Sequence, residues 1–324
     1  MTTDSSLQHA QPLVEPVRAY FAPVDRRSGE PAVFDPSRGA FDPEFPPAPW
    51  IDLGPIENLS RATKGDVQLL RAGRSSSPRV LSRKCGENRV QLDFTRWGKL
   101  QLAISSGSQH FNVLSPVQGS AGGGSGAPAE PACPLLAGTS ASELVIGADA
   151  LPKFSAGDLV AVDDDYEQQI GYVGTPISGA FVDDAQRWEV DADYTRRVTF
   201  NLARVAEKTE TSLKLDRPLP GGTPGAEMRV QKVIGFVDRD FGAFVQEWSA
   251  LFVMKERWGG RVCLYYPRLQ TAEPGSETPH AIGEDLRRLM LHASFVAMPV
   301  RDCIDAEETV CYRTYFPASA AAGY

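Results

Sequence analysis

The sequence predicts an all-β fold, with a β-rich α+β fold as the alternative. Apolar segments rich in Val, Phe, Trp and Tyr alternate with short turns, and these residue types suit the pleated, half-buried surface of a sheet. The chain also contains 29 Gly and 25 Pro, which is typical of many turns between short strands. With 324 residues it is long enough for two domains. We expect a β-sandwich or barrel core built from long hairpins, with an inserted small β-barrel-like domain.

The strongest strand signal lies in residues 233–269. Apolar runs at residues 244–254 and 262–266 are separated by a Trp-Gly-Gly segment, and glycine accepts the positive φ of a tight hairpin. These two runs are therefore predicted to pair as the arms of a β-hairpin. A helix is the alternative for the first run, because four apolar residues fall near helical spacing: Phe244, Trp248, Leu251 and Phe252.

Before this hairpin, residues 17–24 are predicted to form the first strand, and a Pro-rich extended arm or long loop follows up to residue 50. Residues 60–84 are polar and cationic. They are interpreted either as a disordered or extended loop, or as an ordered arm that docks on an acidic surface of a neighbouring copy. The cationic residues of this segment are Arg61, Lys64, Arg71, Arg74, Arg79, Arg83 and Lys84.

Residues 88–114 alternate between apolar and polar side chains. Val90, Leu92 and Phe94 share one face, and the segment from Lys99 to Ser105 repeats the pattern. Two strands with a Trp-Gly turn between them are therefore predicted, with a third, weaker strand after them. The Gly/Ser/Ala/Pro-rich residues 118–134 are predicted to be a flexible connection.

Residues 143–233 are predicted to form the inserted small β-domain. Five short strand signals occur at the spacing of a small barrel: residues 154–162, 170–173, 198–205, 212–215 and 228–233. The SAGDLVAV segment is similar to the opening strands of SH3-like or OB-like barrels. The core is then formed by residues 1–142 and 234–324. In its last part we expect a polar loop, a short helix or strand, and two strong strands, at residues 270–280, 282–292, 293–300 and 309–316.

The composition limits the classes of partner. A net charge of −8 and an isoelectric point of about 5.2 disfavour a protein that grips nucleic acid phosphates, although DNA can pass an acidic surface without adhering. No signal peptide, membrane span or membrane partner is expected. Five scattered cysteines are interpreted as free, mostly buried thiols of a reducing compartment: Cys85, Cys133, Cys263, Cys303 and Cys311.

Acidic clusters are the first candidates for chemistry. Asp163, Asp164 and Asp165 with Glu167 could bind Ca²⁺, but they lack the spacing of a calcium loop, so an acidic loop after a strand is favoured. A solvated acidic face is likewise favoured for four further residues: Asp183, Asp184, Asp191 and Asp193.

Glu247 lies in an apolar run, where a carboxyl group could have a raised pKa and act as an acid. An ion pair with Arg239 or Arg268 is the favoured interpretation. The histidines are dispersed, and neither a nucleophile elbow nor a phosphate-binding loop occurs. The sequence therefore predicts no catalytic, cofactor-binding or metal-binding residue, no cofactor, and a protein that is not an enzyme. The histidines are His9, His110, His280 and His292.

Three segments together resemble the tail tube (major tail) proteins of bacteriophages and phage-like particles: PWIDLGPIENLSR before a polar loop, FVQEWSALFV with GGRVCLYYPRL, and ASFVAMPVRD with ETVCYRTYFP. The resemblance implies a β-sandwich core and hexameric rings that stack into a tube, with a loop reaching between rings. It also implies other tail proteins as partners, DNA passing through the lumen, and location in a virion or phage-like particle assembled in the host cytoplasm. Residues 143–233 depart from a minimal tube subunit and would lie outside the ring.

Two alternative functions belong to other classes. One is a carbohydrate- or ligand-binding β-protein that uses aromatic residues of the inserted domain, although such rings more often belong to a core. The other is a hydrolase with a carboxylate pair, ranked last because no pair is identifiable. The aromatic residues of the first alternative are Tyr166, Tyr172 and Trp188.

Overall fold

The structure is a computed structural model. It describes residues 17–24, 30–35, 42–64, 66–71, 78–84, 86–107, 109–117, 129–164, 196, 199–239, 246–256, 259–281, 287–302 and 305–317. The strands are β1 (Val17–Pro23), β2 (Ile51–Thr63), β3 (Asp66–Arg71), β4 (Pro78–Lys84), β5 (Asn88–Phe94), β6 (Gln109–Leu114), β7 (Cys133–Pro134), β8 (Glu143–Val145), β9 (Leu159–Asp164), β10 (Leu202–Lys208), β11 (Ser212–Leu215), β12 (Met228–Arg239), β13 (Glu247–Lys255), β14 (Arg261–Ala281), β15 (Arg287–Ala297), β16 (Val300–Arg301), β17 (Glu308–Thr309) and β18 (Tyr312–Phe316). Helix α1 spans Lys99–Ser106, and a 3-10 helix spans Leu151–Lys153.

Six strands close into an antiparallel barrel in the order β13, β1, β2, β5, β15 and β14, and β14 pairs back to β13 to complete the circle. The predicted hairpin forms this closure, with Lys255 opposite Arg261. Gly259 in its turn has φ 93°, which favours glycine over residues with a side chain. The all-β class is thus confirmed, and the run at residues 244–254 forms a strand from Glu247, not a helix.

Aromatic side chains fill the barrel. Phe21 on β1 is fully buried, and the centroid of its ring lies 5.7 to 6.3 Å from those of four other rings. Since alternate residues of a strand point to opposite faces, the alternation in β5 places Val90, Leu92 and Phe94 inside as predicted. The four rings around Phe21 belong to Phe94, Trp248, Phe252 and Phe295.

Helix α1 packs against β14 and β15 and contributes Ala103 and Ile104 to the barrel core. Gly275 of β14 allows this contact, because a Cβ atom there would lie 2.7 Å from the carbonyl oxygen of Ser105. The strand predicted for this segment is wrong. Leu100, Ala103 and Ile104 fall at the i, i+3, i+4 spacing of a helix, and this face packs on the sheet.

The Pro-rich arm covers the outside of the barrel. Residues 30–35 and 42–50 pack over β1, β13 and β14, where Phe34 and Trp50 are buried. The hydroxyl groups of Tyr265 and Tyr20 donate to the carbonyl oxygens of Ala32 (2.8 Å) and Glu44 (2.7 Å). Within the described residues the arm contains no strand, as predicted, yet it is held by its own buried rings.

A second sheet contains seven strands in the order β6, β12, β9, β10, β11 and β8, with β7 also on β12. One face carries a separate apolar core that includes Phe154, Val160 and Leu213. Four of the predicted strands are confirmed. The signals at residues 154–162, 212–215 and 228–233 correspond to β9, β11 and the start of β12. The signal at residues 198–205 corresponds to β10, which begins at Leu202. The expected boundary after residue 233 lies inside β12, which pairs with β6 from the preceding segment. The division into a core and an inserted domain stays a prediction.

Two predicted loops form strands instead. Residues 270–280 lie within β14, where pairing with β15 compensates for their polar composition. Residues 60–84 contain the end of β2 and the two-stranded hairpin of β3 and β4, so the interpretation as a disordered loop is wrong. The segment at residues 282–292 is a strand from Arg287 onward.

The two strong strands predicted near the end of the chain correspond to β15 and β18. β15 ends at Ala297, and β18 pairs with β14 beside the barrel, while the link between them contains the short pair β16 and β17. The predicted strand at residues 170–173 lies outside the described residues. In the part of the chain that the structure describes, no helix has the length and apolar character to span a bilayer.

Candidate functional site

The first candidate interaction surface is a set of strand edges. β18 pairs on one side with residues 261–265 of β14, and no described strand pairs with its other side. Its buried and exposed residues alternate, and Tyr315 is 37% exposed. An edge strand of this kind presents a row of backbone N–H and C=O groups that can pair with another chain.

Two barrel strands continue past the barrel. Residues 276–281 of β14 pair with β15 alone, and residues 57–63 of β2 pair with β5 alone, among the strands that the structure describes. The β3 and β4 hairpin follows directly on this extension of β2. The barrel therefore offers backbone edges at β18 and at these extensions.

A buried polar junction joins the barrel to the second sheet. Lys99 of α1 and Asn112 of β6 both donate to the carbonyl oxygen of Thr199, at 2.5 and 3.0 Å. Asn201 donates to the carbonyl oxygen of Val162 (2.9 Å) and accepts from the backbone N–H of Gly221 (2.8 Å). Lys99, Asn112, Thr199 and Asn201 are all buried.

The junction contains buried charge. Burial lowers the pKa of the Lys99 ammonium well below its ordinary value, and the nearby Asp163 carboxylate opposes this shift. The Lys99 Nζ atom also lies 4.5 Å from the centroid of the Phe200 ring. Burial thus favours the neutral amine form of Lys99, which is a nucleophile.

The acidic candidates differ in burial and in their place in the fold. Asp163 is 2% exposed and lies within β9, so its assignment to an acidic loop after the strand is wrong; it is near enough to Lys99 to act on it electrostatically. Asp164 is the last residue of β9. No group of three or more His, Cys, Asp or Glu residues suited to a metal occurs within the described ranges. The remaining acidic and aromatic candidates lie outside those ranges: Asp165, Glu167, Asp183, Asp184, Asp191, Asp193, Tyr166, Tyr172 and Trp188.

Glu247 forms the favoured ion pair. Its carboxylate accepts from the Arg268 guanidinium and from the amide of Gln270 (2.5 Å). All three residues lie where β13 and β14 close the barrel. The carboxylate therefore stabilises the closure, and the pairing with Arg268 is confirmed.

His292 takes part in a smaller polar group. Its Nδ1 atom lies 2.8 Å from the Asp93 carboxylate, which also accepts from the Asn58 amide (2.6 Å). The side chain of His292 is 43% exposed. The side chains of His110 and His280 and all of His9 lie outside the description.

The described cysteines are free thiols. Cys133 and Cys263 are buried and Cys311 is half-buried, and burial raises the pKa of Cys263 to about 12. Thiols that are protonated in this way are poor nucleophiles. Cys85 and Cys303 lie outside the described residues.

A surface groove of about 330 Å³ lies between the arm and the barrel. Its charged side chains include Arg18, which pairs with Asp52, and Lys255, which pairs with Glu44 at 2.8 Å. The pair of Lys255 and Glu44 fixes the arm on the barrel, whereas the pair of Arg18 and Asp52 joins β1 to β2. The other lining residues are Tyr20, Phe45, Pro55, Arg96 and Val253.

No sequence pattern identifies the junction. Its only local sign is a lysine at the start of the apolar segment Lys99 to Ser105. A scan against protein-family models finds no match to this chain, and a search of curated proteins finds no significant match. We therefore infer function from the geometry of the chain.

Proposed function

We propose that this protein is a structural subunit that pairs with copies of itself through strand edges, forming rings that stack into a tube for DNA. The observation that carries the proposal is the combination of a barrel filled by side chains with open edges at β18 and at the extensions of β2 and β14. A filled barrel has no room for substrate, whereas open edges favour pairing with another strand.

Edge pairing between identical chains supports a closed ring. If β18 of one copy meets an extension strand of the next, the contact uses two different surfaces, and repeated rotation closes a ring when the angle permits. Strand addition also satisfies backbone groups that otherwise face water. The resemblance to tail tube proteins favours the same arrangement, with six copies in a ring.

The β3 and β4 hairpin is suited to contact between rings. The segment at residues 60–84 carries seven cationic residues, while the whole chain has a net charge of −8. A cationic arm and an acidic surface attract each other, and salt weakens this attraction. We assign the hairpin to contact with the adjacent ring and the acidic balance to a lumen that does not hold DNA.

Two adjacent proline substitutions test the edge. Neighbouring residues of a strand direct their N–H groups to opposite sides, so one of Arg313→Pro and Thr314→Pro removes an N–H that points away from β14. We expect the variant that keeps the wild-type unfolding midpoint to lose assembly, measured by sedimentation velocity and electron microscopy. A wild-type chain that stays monomeric at high concentration, or assemblies that neither variant changes, would contradict the proposal.

A replacement of residues 65–85 by a short Gly-Ser linker tests the hairpin separately. We expect single rings to form and stacking to be lost, because β18 and the barrel are unchanged. Raised salt on the wild-type chain should weaken stacking before it weakens rings. Stacks of normal length from the replaced chain would exclude this role of the hairpin.

A further inference from the structure

The junction brings an amine and a carboxamide together. The Nζ atom of Lys99 and the Nδ2 atom of Asn112 lie 2.5 and 3.0 Å from a single acceptor, the carbonyl oxygen of Thr199. Lys99 begins α1 and Asn112 lies in β6. The two nitrogen atoms are therefore neighbours, although 13 residue positions separate them in sequence.

The side chains around Lys99 and Asn112 are shielded from water, which favours a reaction between the two residues. Asn112 is 1% exposed, and its Oδ1 atom has no hydrogen-bond partner among the described residues. Asp163, at 2% exposure, is close enough to act electrostatically on Lys99. Burial lowers the pKa of Lys99, and this favours the neutral form, whose nitrogen has a free electron pair.

We propose that Lys99 and Asn112 join in an intramolecular amide bond, with Asp163 transferring the proton. The Nζ electron pair attacks Cγ of Asn112 and forms the C–N bond, the bond from Cγ to Nδ2 breaks, and ammonia leaves. One proton passes from Nζ through the Asp163 carboxylate to the departing nitrogen. No oxidant, reductant or co-reactant is consumed.

The Thr199 carbonyl group has a defined part in this step. By accepting from both nitrogens it holds the attacking amine beside the leaving amide, which reduces the entropy cost of their approach. The product would fasten α1, which packs on the barrel, to β6 of the second sheet. The bond thus locks the two sheets together, independently of whether the chain assembles.

Mass spectrometry of the denatured full-length chain tests the proposal. We expect a mass lower than that of the sequence by one ammonia, with trypsin unable to cleave after Lys99. A further cut with chymotrypsin between the two residues should leave both fragments joined. A succinimide at an asparagine has the same mass loss but leaves Lys99 open to trypsin. A full sequence mass, or cleavage after Lys99, would overturn the proposal.

Variants locate the reacting groups. Lys99→Arg, Asn112→Ala and Asp163→Asn should each restore the missing mass. Lys208→Arg is the matched control, since the Nζ atom of Lys208 also donates to a backbone carbonyl, that of Phe154 at 3.0 Å, but on an exposed residue. This control should keep the loss of one ammonia. The wild-type mass decides the question even where a variant fails to fold.

Discussion

The barrel interior and the junction are both buried, but they are stabilised in different ways. The barrel holds four aromatic rings in contact with Phe21 and two apolar residues of α1. The junction holds Lys99, Asn112, Asp163 and Asn201 on neighbouring segments. Apolar burial is non-directional and tolerant of small shifts, whereas each buried polar group needs a partner at hydrogen-bond distance.

The barrel interior mainly stabilises the fold, whereas the junction mainly specifies how the two sheets are placed relative to each other. The barrel gains free energy from the area that its rings remove from water. The junction gains little net free energy, but it admits only the relative placement of the two sheets that satisfies its donors and acceptors.

Phe21→Ala should have the largest effect on stability. It removes the ring at the centre of the aromatic cluster and leaves a cavity, so we expect the free energy of unfolding to fall by about 3–5 kcal/mol. Urea denaturation followed by circular dichroism measures it. Tyr315→Ala, at an exposed ring of β18, is the control and should change the free energy by less than about 0.5 kcal/mol. Equal losses would mean that the cluster is not the core.

Asn201→Ala should have an intermediate effect. The substitution removes the side-chain partner of the Gly221 N–H and of the carbonyl group of the buried Val162, and the loss of a buried partner costs about 1–3 kcal/mol. Ser140→Ala removes an exposed hydrogen bond to the Glu143 amide (3.1 Å) and is the control. The same denaturation experiment compares them, and a smaller loss for Asn201 than for Ser140 would refute the role of the junction.

The buried hydroxyl group of Tyr20 predicts that the stability of the fold depends on pH in the alkaline range. Burial raises its pKa from 10.0 to about 12, and the Arg18 guanidinium opposes this shift. Between these values the unfolded chain releases the phenolic proton and the folded chain keeps it, so stability falls as the pH rises through this range. Thermal unfolding at several pH values should show a shallower decline for Tyr20→Phe, with a loss of about 1 kcal/mol at neutral pH. An unchanged decline would exclude Tyr20 as its source.

Arg288→Ala should have the smallest effect. Arg288 and Glu57 pair at 2.9 Å across β15 and β2, and both side chains are partly exposed. Water and salt screen such pairs, so we expect a loss of about 0–1 kcal/mol. A double-mutant cycle with Glu57→Ala measures the coupling. A coupling energy above this range that persists in high salt would show that the pair acts as a buried one.

Local sequence patterns could predict the strands that have one buried face and one more exposed face. β5 alternates between buried and half-buried residues along its whole length, and the arms of the hairpin at Gly259 were recognisable from their content of Val, Phe and Tyr. Leu100, Leu102 and Ile104 also alternate as in a strand. The segment nevertheless forms helix α1, because the helix packs the face with Ala103 and Ile104 on the barrel.

Contacts distant in sequence could not be predicted in this way. The polar half of β14 has the composition of a loop, and only its pairing with β15 makes it a strand. The junction draws Lys99, Asn112, Asp163 and Thr199 from four separate segments. No spacing within the chain shows that these side chains meet, and Asp163 in particular resembles its acidic neighbours in sequence.

Self-assembly through open strand edges is tested most directly by cryo-electron microscopy of the concentrated full-length chain. We expect rings in which β18 of one copy hydrogen-bonds to a strand of the next, with the β3 and β4 hairpin between stacked rings. Single particles at every concentration, with the outer side of β18 covered by residues of the same chain, would contradict it.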